Sequence, residues 1–91
     1  MLQRLHLTVF GKVQGVFYRA STYDRATHLA VTGFVRNVAN GSVEIVAEGE
    51  DERLRELLAW CKVGPAAAEV DDVEVQWLEH RGEFPQFEIR Y

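Results

Sequence analysis

The dipeptide Asn40-Gly41 constrains the fold of this chain most, because it predicts a hairpin. It lies between two segments rich in β-branched and aromatic residues, 33–39 and 42–48. Asn-Gly is a strong hairpin signal since both turn positions favour positive φ. The two segments are therefore predicted to be antiparallel neighbours, the second and third strands of a sheet.

Further strands and two helices flank this hairpin. Residues 4–10 alternate with period two, as a half-buried strand does, and residues 70–79 and 87–91 also read as extended. Helical spacing of apolar residues appears in 19–30 and again from about residue 51 until Gly64-Pro65 stops it. The order is β-α-β-β-α-β plus a short C-terminal strand. This predicts an α+β fold, the ferredoxin-like split βαβ sandwich, with two helices on one face of an antiparallel sheet.

Length and composition predict one domain, residues 1–91. A chain of 91 residues with 47% hydrophobic content suits a single small core. The one cysteine, Cys61, cannot form an internal disulfide. No apolar run of about 18 residues and no signal-peptide pattern occurs, so we expect a cytoplasmic protein that does not bind membranes. We also expect a monomer.

The charge distribution predicts a small anionic ligand. The net charge is -4, which argues against a general nucleic-acid binder. Residues 1–41 nevertheless carry five basic side chains and one acidic one, whereas residues 42–91 carry five basic and thirteen acidic ones. The local excess of positive charge near the N-terminus would attract an anion to one site of an otherwise acidic protein.

Residues 11–19, with the sequence G-K-V-Q-G-V-F-Y-R, predict where that anion binds. A strand, a loop with two glycines and a helix N-terminus follow one another, an arrangement that directs several backbone N–H donors at one point. Arg19 adds a planar cation suited to two phosphoryl oxygens. We call this predicted site the phosphate cradle; its residues are Gln14, Gly15, Val16, Phe17, Tyr18 and Arg19.

The same stretch excludes several phosphate chemistries. The G-x-x-x-x-G-K-[ST] pattern of nucleotide-binding loops is absent. A phosphatase loop with a nucleophilic cysteine would have that cysteine six residues before the arginine, where this chain has Val13. No Asp, Glu, Cys or His occurs in 11–19, so the loop supplies neither a metal cluster nor a covalent nucleophile. An attacking group would have to be water.

Individual residues also have plain structural interpretations. Arg19 could be a solvated helix residue, although a cation is unfavourable at a helix N-terminus unless an anion compensates it. Asn37, near the end of the second strand, is either a turn-forming asparagine or an amide that holds a water. The sequence spacing alone leaves both open. The three histidines share no ligand spacing and are expected to be structural or exposed.

Two segments of the chain resemble the signatures of the acylphosphatase family. Residues 9–19, V-F-G-K-V-Q-G-V-F-Y-R, resemble the first signature, and residues 33–37, G-F-V-R-N, resemble the second. The similarity extends over essentially the whole chain, including the terminal F-x-I-R-Y of residues 87–91. One departure is Tyr18, where the family usually has phenylalanine or methionine; we expect a tolerated aromatic exchange.

The resemblance implies an enzyme and assigns two residues to it. The family's catalytic arginine falls on Arg19 and its catalytic asparagine on Asn37, which favours the second interpretation of that asparagine. The implied activity is hydrolysis of acyl phosphates to a carboxylate and inorganic phosphate, with no metal and no cofactor. A carboxylate leaves easily, with a pKa of about 4, so no strong general acid is needed.

Other functions are compatible with the same pattern. A non-catalytic module that binds phosphate or an acyl phosphate would keep the fold and the cradle. An RNA-binding domain can have the same element order, but its aromatic strand motif is missing here. A domain acting on carbamoyl phosphate within a larger maturation enzyme is a related alternative.

Overall fold

The chain folds into seven elements in the order that the sequence predicts. The computed structural model describes all 91 residues. Each element lies within a few residues of its predicted position. The elements are β1 Leu2–Lys12, α1 Tyr18–His28, β2 Thr32–Asn37, β3 Val43–Glu50, α2 Asp51–Cys61, β4 Glu69–Leu78 and β5 Phe87–Arg90.

The five strands form one sheet in the order β4-β1-β3-β2-β5. The pairs β1–β3, β1–β4 and β2–β3 are antiparallel, as predicted. The prediction of a wholly antiparallel sheet is wrong at one edge, because β5 runs parallel to β2. The segment 79–86 crosses from β4 at one edge of the sheet to β5 at the other edge, where β5 runs in the same direction as β2. Local alternation predicts a strand but carries no information about its partner.

Both helices pack on the same face of the sheet. The helix α1 covers β2 and β5, and α2 covers β1 and β3. The alternation predicted for β1 is confirmed, since every second side chain is completely buried under the helices. Each fully buried leucine contributes about 1.5–3 kcal/mol to this core. The buried faces consist of Leu5, Leu7 and Val9 on β1, Val43, Ile45 and Ala47 on β3, Tyr18, Thr22 and Ala26 on α1, and Leu54, Leu57 and Cys61 on α2.

The predicted hairpin joins β2 to β3, but its turn is longer than two residues. The connection spans residues 38–42, and only Gly41 has a positive φ, of 95°. Asn40 acts through its side chain instead: Oδ1 accepts hydrogen bonds from the Ser42 N–H at 3.0 Å and from the Ser42 hydroxyl at 2.6 Å. The asparagine therefore stabilises the turn by side-chain bonding rather than by a left-handed backbone.

Gly11 redirects the end of β1 toward α1. The β1–β4 register shifts between Phe10 and Gly11, where φ of Gly11 is 127°. A Cβ atom at this position would lie 2.2 Å from the Glu69 carbonyl oxygen. Only glycine fits here, and the bend that it permits leads directly into the loop of the predicted cradle. No helix of the chain has the length and apolar character needed to cross a membrane.

Candidate active site

The loop between β1 and α1 is fixed by two buried valines and bends at two residues with positive φ. Val13 and Val16 are buried in the core. Gly15 has φ 74°, and Phe17, the N-cap of α1, has φ 65° and ψ 22°. The backbone N–H groups of residues 14–17 donate to no backbone acceptor. The first N–H groups of α1 have no acceptor within the helix either. The loop therefore presents a run of free donors at the positive end of a helix.

Arg19 lies in the first turn of α1 and forms no ion pair. Its guanidinium lies over the Tyr91 ring, 4.7 Å from the ring centroid, and Nη1 donates a long hydrogen bond of 3.4 Å to the Arg90 carbonyl. Arg4, Arg36 and Arg90, by contrast, each pair with a carboxylate. The charge of Arg19 is thus not compensated by a carboxylate side chain.

Asn37 ends β2 on the sheet face that the helices cover. Its Oδ1 atom is buried and has no hydrogen-bond partner. Buried polar atoms are almost always hydrogen-bonded, so an unpaired carbonyl oxygen requires an explanation. The structure brings this amide to the pocket that Arg19 lines, although eighteen positions separate the two residues in the sequence.

One pocket is lined by five of the seven predicted site residues. Its volume is about 260 Å³, and it lies where the loop, α1, the end of β2 and the C-terminus meet. Gln14 and Val16 are not among its lining residues. Its lining consists of Val13, Gly15, Phe17, Tyr18, Arg19, Ala20, Asn37, Ile89 and Tyr91.

The Gln14 side chain connects the loop to the β2–β3 hairpin. Its Nε2 donates to the carbonyl oxygens of Val38 and Ser42, at 2.8 and 2.9 Å. Val38 follows Asn37 directly. The tether therefore fixes the end of β2 relative to the loop, a function of this glutamine that the sequence pattern did not reveal.

Tyr18 reaches away from the pocket into the space between the helices. Its hydroxyl donates to the Cys61 carbonyl at 2.6 Å, and its ring lies 5.6 Å from that of Trp60. Burial, the largest cause, raises the pKa of this phenol far above its ordinary value. The acceptor is one of the carbonyls that a helix C-terminus leaves unpaired. The tyrosine thus links the start of α1 to the end of α2.

Four pocket residues lie outside the predicted site: Val13 and Ala20, which flank the predicted cradle, and Ile89 and Tyr91 at the C-terminus. The terminal alternation predicts an extended segment, but only the parallel pairing of β5 with β2 brings that segment beside Arg19. The pairing is long-range, and no local pattern in the chain encodes it.

Nucleophilic and metal-binding groups do not gather in the pocket. Cys61 is fully buried, and burial raises the pKa of its thiol to about 12. No three His, Cys, Asp or Glu side chains are grouped so that they could hold a metal ion. None of the histidines lines the pocket; His6, for example, bonds to Glu44 at 2.8 Å on the opposite face of the sheet. The chemistry available here is positioning and charge stabilisation.

Known proteins share both the sequence pattern and the fold. Residues 5–89 match the sequence model of the Acylphosphatase family. An acylphosphatase of Pelotomaculum thermopropionicum is 49% identical over 97% of this chain and 96% of its own. One from Marinobacter nauticus is 54% identical over 94% of each chain. The structure of an acylphosphatase from Coxiella burnetii matches with a TM-score of 0.92 and 38% identity, over 98% of this chain and 93% of that chain.

These findings agree with the geometry. Fold and pocket define a small ferredoxin-like sandwich with a cationic, donor-rich site at the start of its first helix. The chain belongs to the acylphosphatase family.

Proposed function

We propose that this protein hydrolyses the carboxyl-phosphate bond of acyl phosphates, giving a carboxylate and inorganic phosphate. The observation that carries the proposal is that Arg19 and Asn37 line the same pocket. The unpaired charge of Arg19 and the unpaired, buried Oδ1 of Asn37 both line it. The guanidinium can bind the oxygens of a phosphoryl group, and Oδ1 can accept a hydrogen bond from a water molecule.

In this proposal the phosphoryl group binds between the loop and Arg19. The free N–H groups of residues 14–17 and of the first turn of α1 donate to its oxygens, and the guanidinium contributes two further donors. Each charge-assisted hydrogen bond contributes about 1.5–3 kcal/mol. The bonds strengthen as charge builds up on the phosphoryl oxygens in the transition state, so the same contacts that bind also accelerate the reaction.

Asn37 orients the attacking water in line with the leaving carboxylate. Its Oδ1 accepts a hydrogen bond from the water, and its amide nitrogen can donate to a phosphoryl oxygen. Phosphoryl transfer proceeds through a loose transition state, in which the nucleophile needs placement more than deprotonation. A leaving group with a pKa of about 4 needs no general acid. The pocket therefore requires neither a base nor a nucleophilic side chain, and no Asp, Glu or His side chain lines it.

The function is tested by phosphate release from benzoyl phosphate and from p-nitrophenyl phosphate, both in EDTA. We expect rapid hydrolysis of the acyl phosphate alone and its loss in Arg19→Ala. Arg81→Ala, which removes an exposed arginine side chain outside the pocket, serves as the matched control and should retain activity. Absence of turnover in the wild type, with phosphate binding that depends on Arg19, would instead establish a binding module.

We also propose that the protein acts as a cytoplasmic, single-domain monomer on small molecules alone, without nucleic-acid or membrane partners. The sheet face that the helices leave open supports this, because it carries paired charges such as Arg36–Glu44 and Arg4–Glu83 rather than a large apolar patch. Light scattering at micromolar concentration should give the mass of one chain; a dimer mass would contradict the monomer.

A further inference from the structure

We propose that Phe17 and Tyr91 form an aromatic clamp that binds the acyl part of the substrate and favours planar, apolar acyl groups. The substrate class is then the phosphates of aromatic carboxylic acids rather than of small or charged ones. The inference rests on the proposed function and extends it from the phosphoryl group to the acyl group.

The first observation is the backbone of Phe17. Its φ of 65° and ψ of 22° lie in the left-handed region, which bulky L-residues rarely adopt and glycine or asparagine adopt readily. Its side chain is nevertheless 80% exposed, so the ring packs on little of the protein. An aromatic residue that is unfavourable for the backbone and contributes little to the core indicates a function outside folding.

The second observation is the position of Tyr91. The side chain is 97% exposed, yet its ring lies 4.7 Å from the guanidinium of Arg19. This cation–π contact holds an aromatic surface beside the group that is proposed to bind the phosphoryl oxygens. Phe17 and Tyr91 line the same pocket and are its most exposed aromatic residues, which places both at its opening.

The third observation is what the pocket lacks. Beyond Arg19 and Asn37 it has no charged or amide side chain, and Val13 and Ile89 lie in the same lining as the two aromatic rings. The Tyr18 hydroxyl is used on the Cys61 carbonyl, which leaves the Tyr91 hydroxyl as the one further polar side-chain group. An acyl group is joined to phosphorus through a single oxygen, so it must contact residues next to the cradle. A charged acyl group would find no oppositely charged side chain there besides Arg19, which is proposed to hold the phosphoryl group, whereas a flat apolar one would contact the rings.

The clamp is tested by the binding of two acylphosphonates, whose carbon–phosphorus bond is not hydrolysed. Calorimetry gives the dissociation constants of benzoylphosphonate and acetylphosphonate for the wild type, Phe17→Asn and Leu2→Ala. Asparagine suits the left-handed backbone but removes the ring, and Leu2 is an exposed apolar control at the opposite end of β1. Tyr91→Phe and Tyr91→Leu separate the ring of Tyr91 from its hydroxyl.

We expect the wild type to prefer benzoylphosphonate and Phe17→Asn to lose about threefold to tenfold of that preference, without a lower melting temperature. Tyr91→Phe should keep the preference and Tyr91→Leu should reduce it, while Leu2→Ala should change nothing. Equal affinity of the wild type for both ligands, or an unchanged preference in Phe17→Asn, would overturn the clamp. Because binding is measured without turnover, this outcome is independent of whether acyl phosphates are hydrolysed.

Discussion

At the scale of single residues, the site depends on two groups that the fold leaves unsatisfied. Arg19 has no carboxylate partner, and Oδ1 of Asn37 has no hydrogen-bond donor. Both conditions are unfavourable for an isolated protein, since a cation lies at a helix N-terminus and a polar atom is buried unpaired. An anion and a water molecule bound together would remove both penalties.

Arg19→Lys tests whether the geometry of the cation matters or only its charge. Lysine keeps the charge but replaces a planar fork by a single ammonium, so it cannot bond two phosphoryl oxygens at once. We expect kcat/KM for benzoyl phosphate to fall by about tenfold to a hundredfold, the worth of one lost charge-assisted bond. Steady-state kinetics measure this, and equal kcat/KM in the two proteins would show that a point charge suffices.

At the scale of elements, side chains fasten the pocket-bearing loop to its neighbours. Gln14 ties it to the hairpin through two carbonyls, and Tyr18 ties the start of α1 to the end of α2. Both side chains donate to backbone carbonyl groups: Tyr18 to that of Cys61 at the end of α2, and Gln14 to two in the hairpin turn that also accept backbone N–H groups. The loop is thereby held at two sides while its own N–H groups stay free.

Tyr18→Phe tests the second of these connections. Removing the hydroxyl leaves the Cys61 carbonyl without its donor, and we expect the free energy of unfolding in urea to fall by about 0.5–1.5 kcal/mol. Tyr23→Phe is the matched control, because the Tyr23 ring packs against Phe87 while its hydroxyl has no hydrogen-bond partner in the protein. If both substitutions cost the same, the hydroxyl of Tyr18 does not link the helices.

The sequence predicts the elements well and their long-range relations less well. Alternation in β1 and helical spacing in both helices are local, so they predict element type and buried face. The anion site is likewise predicted from a local feature, the succession of a strand, a loop with two glycines and a helix N-terminus that carries Arg19. Three features depend instead on residues distant in the chain or on side-chain geometry. They are the parallel pairing of β5 with β2, the hydrogen bonds that Asn40 Oδ1 accepts in the turn, and the two hydrogen bonds that Gln14 donates to the hairpin. The approach of Tyr91 to Arg19 follows from that unpredicted pairing.

At the scale of the whole molecule, ion pairs on the open face of the sheet make stability depend on pH. Partial burial alone would raise the pKa of Glu44, but hydrogen bonds from His6 and Arg36 and the charge of Arg36 lower it below the usual 4.5. A carboxyl group with a depressed pKa in the folded state stabilises the protein above its unfolded pKa. This contribution is lost as the pH falls through the folded value.

Glu44→Gln should therefore flatten the pH dependence of stability. We expect the free energy of unfolding of the wild type to decrease between pH 7 and pH 3 by more than that of the variant. Glu74→Gln, which removes an exposed carboxylate without an ion-pair partner, is the control and should follow the wild type. Urea denaturation at several pH values measures the difference, and parallel curves for Glu44→Gln and the wild type would contradict the assignment.

Arg19 is proposed to hold the phosphoryl group while Asn37 holds the water, and Asn37→Ala tests this division of roles most directly. The measurement is kcat for benzoyl phosphate together with the dissociation constant of inorganic phosphate. We predict that kcat falls by about a hundredfold or more, because the water loses its orientation, while phosphate affinity changes far less. Arg19→Ala should weaken both. If phosphate affinity in Asn37→Ala falls in step with kcat, Asn37 supports the loop and does not position a water.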